Sequence, residues 1–256
     1  MIDKLAFVHP NAKIGKNVTI GPWSYVGEGV ELGDDCWLSS HVVIKGPSII
    51  GKGNRFFQFS SVGEECQDKK YAGEPTKLIM GDNNIVRENV TIHRGTIQDN
   101  SETRIGSNNL FMNYVHIAHD CVVGNNVILA NNASIAGHVH VGDWVILGGM
   151  TGVHQFVRIG DHAFTAGASL ILQDVPPYVM AAGQPAIPRG LNREGLKRRG
   201  FSKEAQQAVM RAYKAFYRNN LTVDEAIESL KEEVKTFPEV SKMVDFITHS
   251  GRGIIR

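Results

Sequence analysis

From its second residue the chain places an aliphatic side chain at every sixth position. Ile2, Val8, Ile14, Ile20, Val26, Leu32, Leu38, Ile44 and Ile50 keep this beat, and Phe56 and Val62 close the run. It resumes at Met80, Val86 and Ile92, then runs from Ile105 through Ile117, Ile135 and Val153 to Ile171. The residue after a beat is most often Gly. The fourth after it is small or β-branched, as at Ser24, Cys36, Cys121, Ala133 and Ser169. A repeat this short predicts a solenoid whose units stack to bury a shared core. Three hexapeptides make one triangular turn of 18 residues, with one short strand for each of three parallel sheets and turns ~4.8 Å apart.

Two stretches break the beat. Residues 63–79 are polar and hold the turn signal Gly73-Glu74-Pro75, and residues 98–104 form a shorter polar excursion. Insertions in repeat architectures become loops, often on the binding face. Pro176 and Pro177 remove ladder donors and are predicted to stop strand pairing. Further on, the period becomes helical: Ala205, Val209, Ala212 and Phe216 form one apolar stripe behind Ser202 as N-cap. Thr222 and Glu225 read as a capping box, and Pro238 opens another helix. The expected division is a β-coil over 1–186 and a helical domain over 187–256 that caps its last edge.

Composition adds little. With 256 residues, 42% hydrophobic and 21% charged, the chain has the make-up of a soluble globular protein. No apolar run reaches the ~18 residues of a membrane span. The N-terminus lacks the basic start and apolar core of a signal peptide. Three cysteines cannot all pair, and Cys36 and Cys121 occupy the small inward position of the repeat, where packing explains them. A reduced, cytoplasmic protein without stable membrane insertion is expected. Charge is informative only locally: between Arg189 and Arg218 there are nine Lys or Arg against Glu194 and Glu204, an excess of seven in a chain of net charge +1. Such a patch fits an anionic partner. No aromatic platform or nucleic-acid motif accompanies it, so no nucleic acid is expected.

The 18-residue turn also maps the histidines. Ile117, Ile135 and Val153 should stack, which puts His119, His138 and His154 on one narrow strip with His116 across the corner. Neutral imidazoles there suit a metal or a general base. No carboxylate interleaves in a metal-ligand pattern, and no metal is expected. A histidine titrating near neutrality can take the proton of a hydroxyl that attacks an acyl group. Asp120 follows His119 as a candidate orienter. Gly137, lacking a Cβ, can expose its N–H to a developing oxyanion. No Ser or Cys stands in a nucleophile setting, so direct attack is expected rather than an acyl-enzyme.

Several segments together resemble the acyl-carrier-protein–UDP-N-acetylglucosamine O-acyltransferases, which catalyse the first step of lipid A synthesis in Gram-negative bacteria. They are Asn113-Tyr-Val-His-Ile-Ala-His-Asp-Cys121, Leu129-Ala-Asn-Asn-Ala-Ser-Ile-Ala-Gly-His138 and Gly149-Met-Thr-Gly-Val-His-Gln-Phe156. Gln67 to Pro75, Ile92-His-Arg-Gly95, Gln173 to Tyr178 and Asn192 to Gly200 extend the likeness from end to end. The resemblance implies a left-handed parallel β-helix of hexapeptide repeats with a C-terminal α-helical domain. It implies transfer of a 3-hydroxyacyl chain from acyl carrier protein to the sugar 3-hydroxyl, and a homotrimer with sites between subunits. No cofactor is implied, since the phosphopantetheine arrives on the donor.

Residue by residue, the resemblance makes His119 the base, Asp120 its support and Gly137 the oxyanion donor. His138 and Gln155 would contact sugar and thioester, with His116 and His154 nearby. Gln67, Asp68 and Lys70 would hold the sugar nucleotide. Asn192, Glu194, Arg198 and Arg199 would contact the nucleotide, its phosphates or the phosphopantetheine. Gly167 corresponds to the position that limits acyl reach, and its small size favours a long chain. Phe164, Gln184 and Pro185 depart from the family's usual residues. Rival readings are an acyltransferase for a diamino UDP-sugar, giving an amide, and a non-catalytic trimeric scaffold. A later N-acyltransferase of the same pathway usually carries an N-terminal uridine-binding domain, for which a beat starting at residue 2 leaves no room.

Overall fold

The computed structural model describes all 256 residues. The chain winds into a coil of triangular cross-section whose sides are sheets of nine, eight and ten strands. The first sheet starts at Phe7–Val8, the second at Lys13–Ile14 and the third at Thr19–Ile20, and the chain visits them in that order on each turn. Strands pair in parallel with their counterparts one turn on, as in Ile117↔Ile135 and Ile135↔Val153. The beat residues point inward: Val26, Leu38, Ile44, Phe56, Ile117 and Leu129 are fully buried.

Sharp corners separate the sheets, and the third residue after most beats turns them with positive φ. Asn17, Asp35, Asn108 and Asn126 do so between the second and third sheets, at φ of 57, 60, 61 and 57°. Asn and Asp tolerate this region better than other L-residues. At the same corner an Asp side chain accepts the N–H of the preceding turn. Asp34 takes that of Lys16 at 2.6 Å, Asp82 that of Lys52 at 2.9 Å, and Asp143 that of Asn125 at 2.7 Å.

The insertions lengthen two turns, so that Val62 pairs with Ile92 and Ile92 with Ile117. Their C-terminal ends are not loop, contrary to expectation. Lys77–Met80 and Glu102–Ile105 are strands paired Lys77↔Glu102 and Leu78↔Thr103. Alternate burial of Leu78 and Thr103 follows a two-residue period that a six-residue count passes over. The loops proper are 65–76 and 94–101.

Pro176 and Pro177 do not end the pairing either. Val175 bridges to Ile159, Val179–Gly183 adds to Phe164–Thr165 in parallel, and Ala186–Leu191 returns antiparallel. Both prolines sit at a corner, where no ladder donor is required. The expected division at 186 therefore meets the first residue of that last strand. Five helices follow: α1 (Arg193–Arg198), α2 (Lys203–Tyr217), α3 (Val223–Ser229), α4 (Lys231–Thr236) and α5 (Pro238–Thr248). Ser202 caps α2 by accepting the Ala205 N–H at 3.0 Å, Thr222 and Glu225 form the capping box of α3, and Pro238 opens α5. The six residues of α1 and of α4 are too few to show a period. Apolar burial continues from the coil interior into the helices as one cluster of 57 residues, so the helical region extends the coil's core. No helix is long and apolar enough to cross a membrane.

Candidate active site

The corner between the first and second sheets carries the histidine strip. Asp120 and His138 are its turn residues, with φ of 58 and 62°. His119 Nδ1 lies 2.7 Å from Asp120 Oδ2. Donation from Nδ1–H to this carboxylate leaves the Nε2 lone pair free. Asp120 is 2% exposed and also accepts the Thr96 N–H at 2.8 Å and the Thr96 hydroxyl at 2.6 Å. Burial alone would raise its carboxyl, but the hydrogen bonds from His119 and Thr96 hold it below the usual aspartate range. An ionised carboxylate in that place favours the imidazolium that forms when Nε2 takes a proton.

Gly137 passes beneath the ring. Its N–H has no hydrogen-bond partner, whereas the corresponding donors at the next corner are taken by aspartates. Here the residue one turn on is the exposed Gln155, which offers no carboxylate. His138 meets His119 edge-on, with centroids 5.1 Å apart at 90°, and stacks on Phe156 at 4.4 Å. Its Nδ1 lies 2.9 Å from Asp99 Oδ2. Donor atoms of His119, Asp120 and His138 fall within 4.8 Å of one another, the geometry of a candidate metal set.

A cavity of about 510 Å³ opens over the outer face of the first sheet, and it brings Gln67, Asp68, His116, His119, Gly137 and His154 together. His116 Nδ1 lies 2.8 Å from the Thr91 hydroxyl, and burial lowers the His116 pKa, with the nearby His119 adding to the effect. His93 lies beneath, edge-on to His116, and burial brings its pKa down to about 4. Both rings are thus neutral partners at pH 7. Lys70 is exposed on the first loop outside the cavity walls. Burial pushes the Cys121 thiol up to about 12, and its Sγ donates to the Ala136 carbonyl, which leaves no thiolate to act as nucleophile.

Asn192, Glu194, Arg198 and Arg199 gather elsewhere, around a cavity of about 520 Å³ on the outer face of the third sheet beside Ile146, Phe164 and Met180. Asn192 caps α1 through Oδ1 and donates through Nδ2 to the His162 carbonyl at 2.9 Å. The Arg199 guanidinium lies 5.1 Å above Trp144 and 3.3 Å from His162 Nδ1. Burial, then the charge of Arg199, brings His162 down to about 4, so a neutral ring accepts this bond. Neither Arg198 nor Arg199 has a carboxylate partner; Arg199 spends its Nη1 on His162 and keeps its other donors for an anion. Gly167 is exposed at the third corner, with nothing nearer to a would-be Cβ than the Gly149 carbonyl at 3.4 Å. Gln184 donates to the neighbouring Ala168 carbonyl at 2.7 Å.

Thr96 and Asp99 hold Asp120 and His138, yet neither stands in a motif or on the repeat. Both sit in the aperiodic second loop, where only the polar character of 98–104 pointed to function.

Known proteins match this chain along its whole length. Residues 174–255 fit the family model described as Udp N-acetylglucosamine O-acyltransferase, domain 2, and residues 102–137 fit the bacterial transferase hexapeptide model. Residues 2–109 fit the model of a GMPPB C-terminal domain. The acyl-[acyl-carrier-protein]–UDP-N-acetylglucosamine O-acyltransferase of Aeromonas salmonicida is 58% identical over 262 residues, covering 100% of both chains. Its counterpart in Saccharophagus degradans is 54% identical, covering 100% of this chain and 99% of the relative. The solved structure of LpxA from Acinetobacter baumannii superposes with a TM-score of 0.97 at 49% identity, covering 100% of this chain and 99% of the other. The chain belongs to the acyl-[acyl-carrier-protein]–UDP-N-acetylglucosamine O-acyltransferase family.

Proposed function

We propose that the chain transfers a 3-hydroxyacyl group from acyl carrier protein to the 3-hydroxyl of UDP-N-acetylglucosamine, the opening step of lipid A synthesis, with His119 as general base. The observation that carries the assignment of roles is the His119–Asp120 pair at 2.7 Å beside an unpaired Gly137 N–H in one cavity. Nε2 of His119 removes the hydroxyl proton as the oxygen attacks the thioester carbonyl. The Gly137 N–H donates to the oxyanion. Collapse expels the phosphopantetheine thiolate, which takes the proton back from the imidazolium. A general base of this kind is worth about 10²–10⁴ in rate and one oxyanion donor about 10²–10³. Gln67, Asp68 and Lys70 hold the sugar nucleotide. His116, His138, His154 and Gln155 surround sugar and thioester.

Phosphate contacts come from Asn192, Glu194, Arg198 and Arg199, but of a second protomer. In one chain these residues face outward from a different side of the coil than His119. From Ile85 onward the third sheet's outer face is an apolar column of Ile85, Leu110, Ile128, Ile146, Phe164 and Met180, in register. Along the corner between that face and the first sheet stand Trp23, Phe59, Tyr114 and Met150, 58, 57, 56 and 68% exposed. Apolar surface this continuous fits an interface. A homotrimer with this corner toward its axis apposes the third sheet of one chain to the first sheet of the next, and so joins the two cavities. The basic face from Arg189 to Arg218 suits docking of an acidic carrier protein. The phosphopantetheine belongs to that donor, no cofactor of the chain's own takes part, and the cytoplasm is the proposed site of action.

The test is acyl transfer from a 3-hydroxyacyl carrier protein to UDP-N-acetylglucosamine by the wild type beside His119→Ala. Loss of about 10²–10⁴ in kcat with oligomeric state unchanged is expected. Unchanged activity places the base elsewhere, and a wild type active only on an amino-sugar acceptor overturns the choice of substrate.

A further inference from the structure

The Ile92-His-Arg-Gly95 segment holds a residue that the reaction does not use. Arg94 is 8% exposed, and its Nε is buried without a partner. A guanidinium so enclosed is costly unless the contacts it does make matter. Its Nη1 donates to the Gly46 carbonyl of the coil. Its Nη2 donates to the Tyr71 hydroxyl at 3.4 Å and stands 3.8 Å from Glu65 Oε1. The Tyr71 hydroxyl in turn donates to the Glu74 carbonyl at 2.9 Å. Apart from a bond between the His93 ring and the Glu65 backbone, the other hydrogen bonds of residues 65–76 are internal to that loop or made with the adjoining Glu64. His93 thus holds only the first residue of the loop, and Arg94 is the side chain that ties its interior, at Tyr71, to the coil. The loop carries Gln67 and Asp68 into the cavity beside His119. Two residues on from Arg94, Thr96 holds Asp120. One short segment thus fixes both the loop and the support of the base.

We infer that Arg94 is a positioning residue that sets the first loop, and with it Gln67 and Asp68, at the height of the sugar nucleotide. This rests on the reading that the loop holds the acceptor. A planar fork is needed to reach Gly46, Tyr71 and Glu65 from one side chain, and a lysine cannot span all three.

Three variants are compared by steady-state kinetics with each substrate varied, together with thermal unfolding. Arg94→Lys is expected to raise KM for UDP-N-acetylglucosamine about tenfold, with kcat within about twofold and KM for the acyl donor unchanged, since uniform binding alone is lost. Tyr71→Phe, which leaves the coil untouched, should raise the same KM by about threefold, and the double variant should be no worse than Arg94→Lys, as expected of coupled neighbours. Asp68→Ala tests the underlying reading. If Asp68→Ala raises the acceptor KM while Arg94→Lys and Tyr71→Phe leave it unchanged, the inference about Arg94 fails alone. If Asp68→Ala leaves it unchanged, the acceptor role of the loop fails. A lowered melting temperature in Arg94→Lys with both KM values unchanged makes the residue merely structural. If Arg94→Lys does not fold, Tyr71→Phe decides.

Discussion

The backbone of Gly137 runs directly under His119: a Cβ at position 137 would stand 2.6 Å from both Cε1 and Nε2 of the imidazole. Side chains do not approach so closely, so Gly137→Ala must swing the ring and disturb its bond to Asp120. A misplaced base of this kind costs about 10²-fold in kcat. Kinetics beside circular dichroism should show that loss in a normally folded protein. A kcat within twofold of wild type would mean that the ring as positioned does not do the chemistry.

Thr96→Val removes the hydroxyl that donates to Asp120 Oδ2 at 2.6 Å. Asp120 has a folded pKa below its ordinary 3.8. The stability it supplies is therefore fully present above that ordinary value and is lost as pH falls through the lower, folded one. The variant should be less stable than wild type by about 1.5–3 kcal/mol at pH 7, the worth of a hydrogen bond to a charged group. That gap should hold to about pH 5 and close below pH 4 as the carboxylate is protonated. Urea titrations across this range measure it; a gap independent of pH would show that Thr96 acts by packing.

If His119 and Arg199 of one site come from two protomers, trimers mixed from His119→Ala and Arg199→Ala chains should regain activity that neither homotrimer has. Some interfaces in the mixture would carry both native residues. Co-expression with two affinity tags isolates the mixed species. Tag-selected mixed trimers as inactive as either parent would put both residues in one protomer's site.

At the third corner a Cβ on Gly167 would touch only the Gly149 carbonyl, at 3.4 Å. Gly167→Met should close the groove there and move the preferred donor to a shorter acyl chain, with about tenfold discrimination over a few methylenes, at roughly 0.8 kcal/mol for each. A series of 3-hydroxyacyl donors of graded length reads the shift. Wild-type preference for the shortest donor would contradict an open groove.

What the sequence made legible follows from what repeats. A six-residue beat fixes which side chains point inward, and an 18-residue turn fixes vertical neighbours, so His119, with Asp120 beside it in sequence, His138 and His154 could be placed on one strip from the pattern alone. The partners of that strip could not. Thr96 and Asp99 reach it from a loop without a period, and nothing local says where such a loop folds back. The strands at Lys77–Met80 and Glu102–Ile105 were hidden for the opposite reason: they obey a period of two inside segments read as polar. Pro176 and Pro177 misled because a proline stops a strand only where its N–H is needed, and a corner does not need it. That Arg199 lies on another face than His119 also escaped, because the motifs that name both residues carry no angle about the coil axis.

The two loops bear on more than the site. Turns of a solenoid are nearly equivalent, and a side chain on one could serve as well on the next. Arg94, Thr96 and Asp99 break that equivalence, since they reach only the turns that touch the inserted segment. Chemistry on this scaffold is thus addressed by its interruptions. The regular turns between Phe7 and Lys45 behave as interchangeable spacers, and a lineage could lengthen or shorten them by whole turns while the catalytic cassette travels intact.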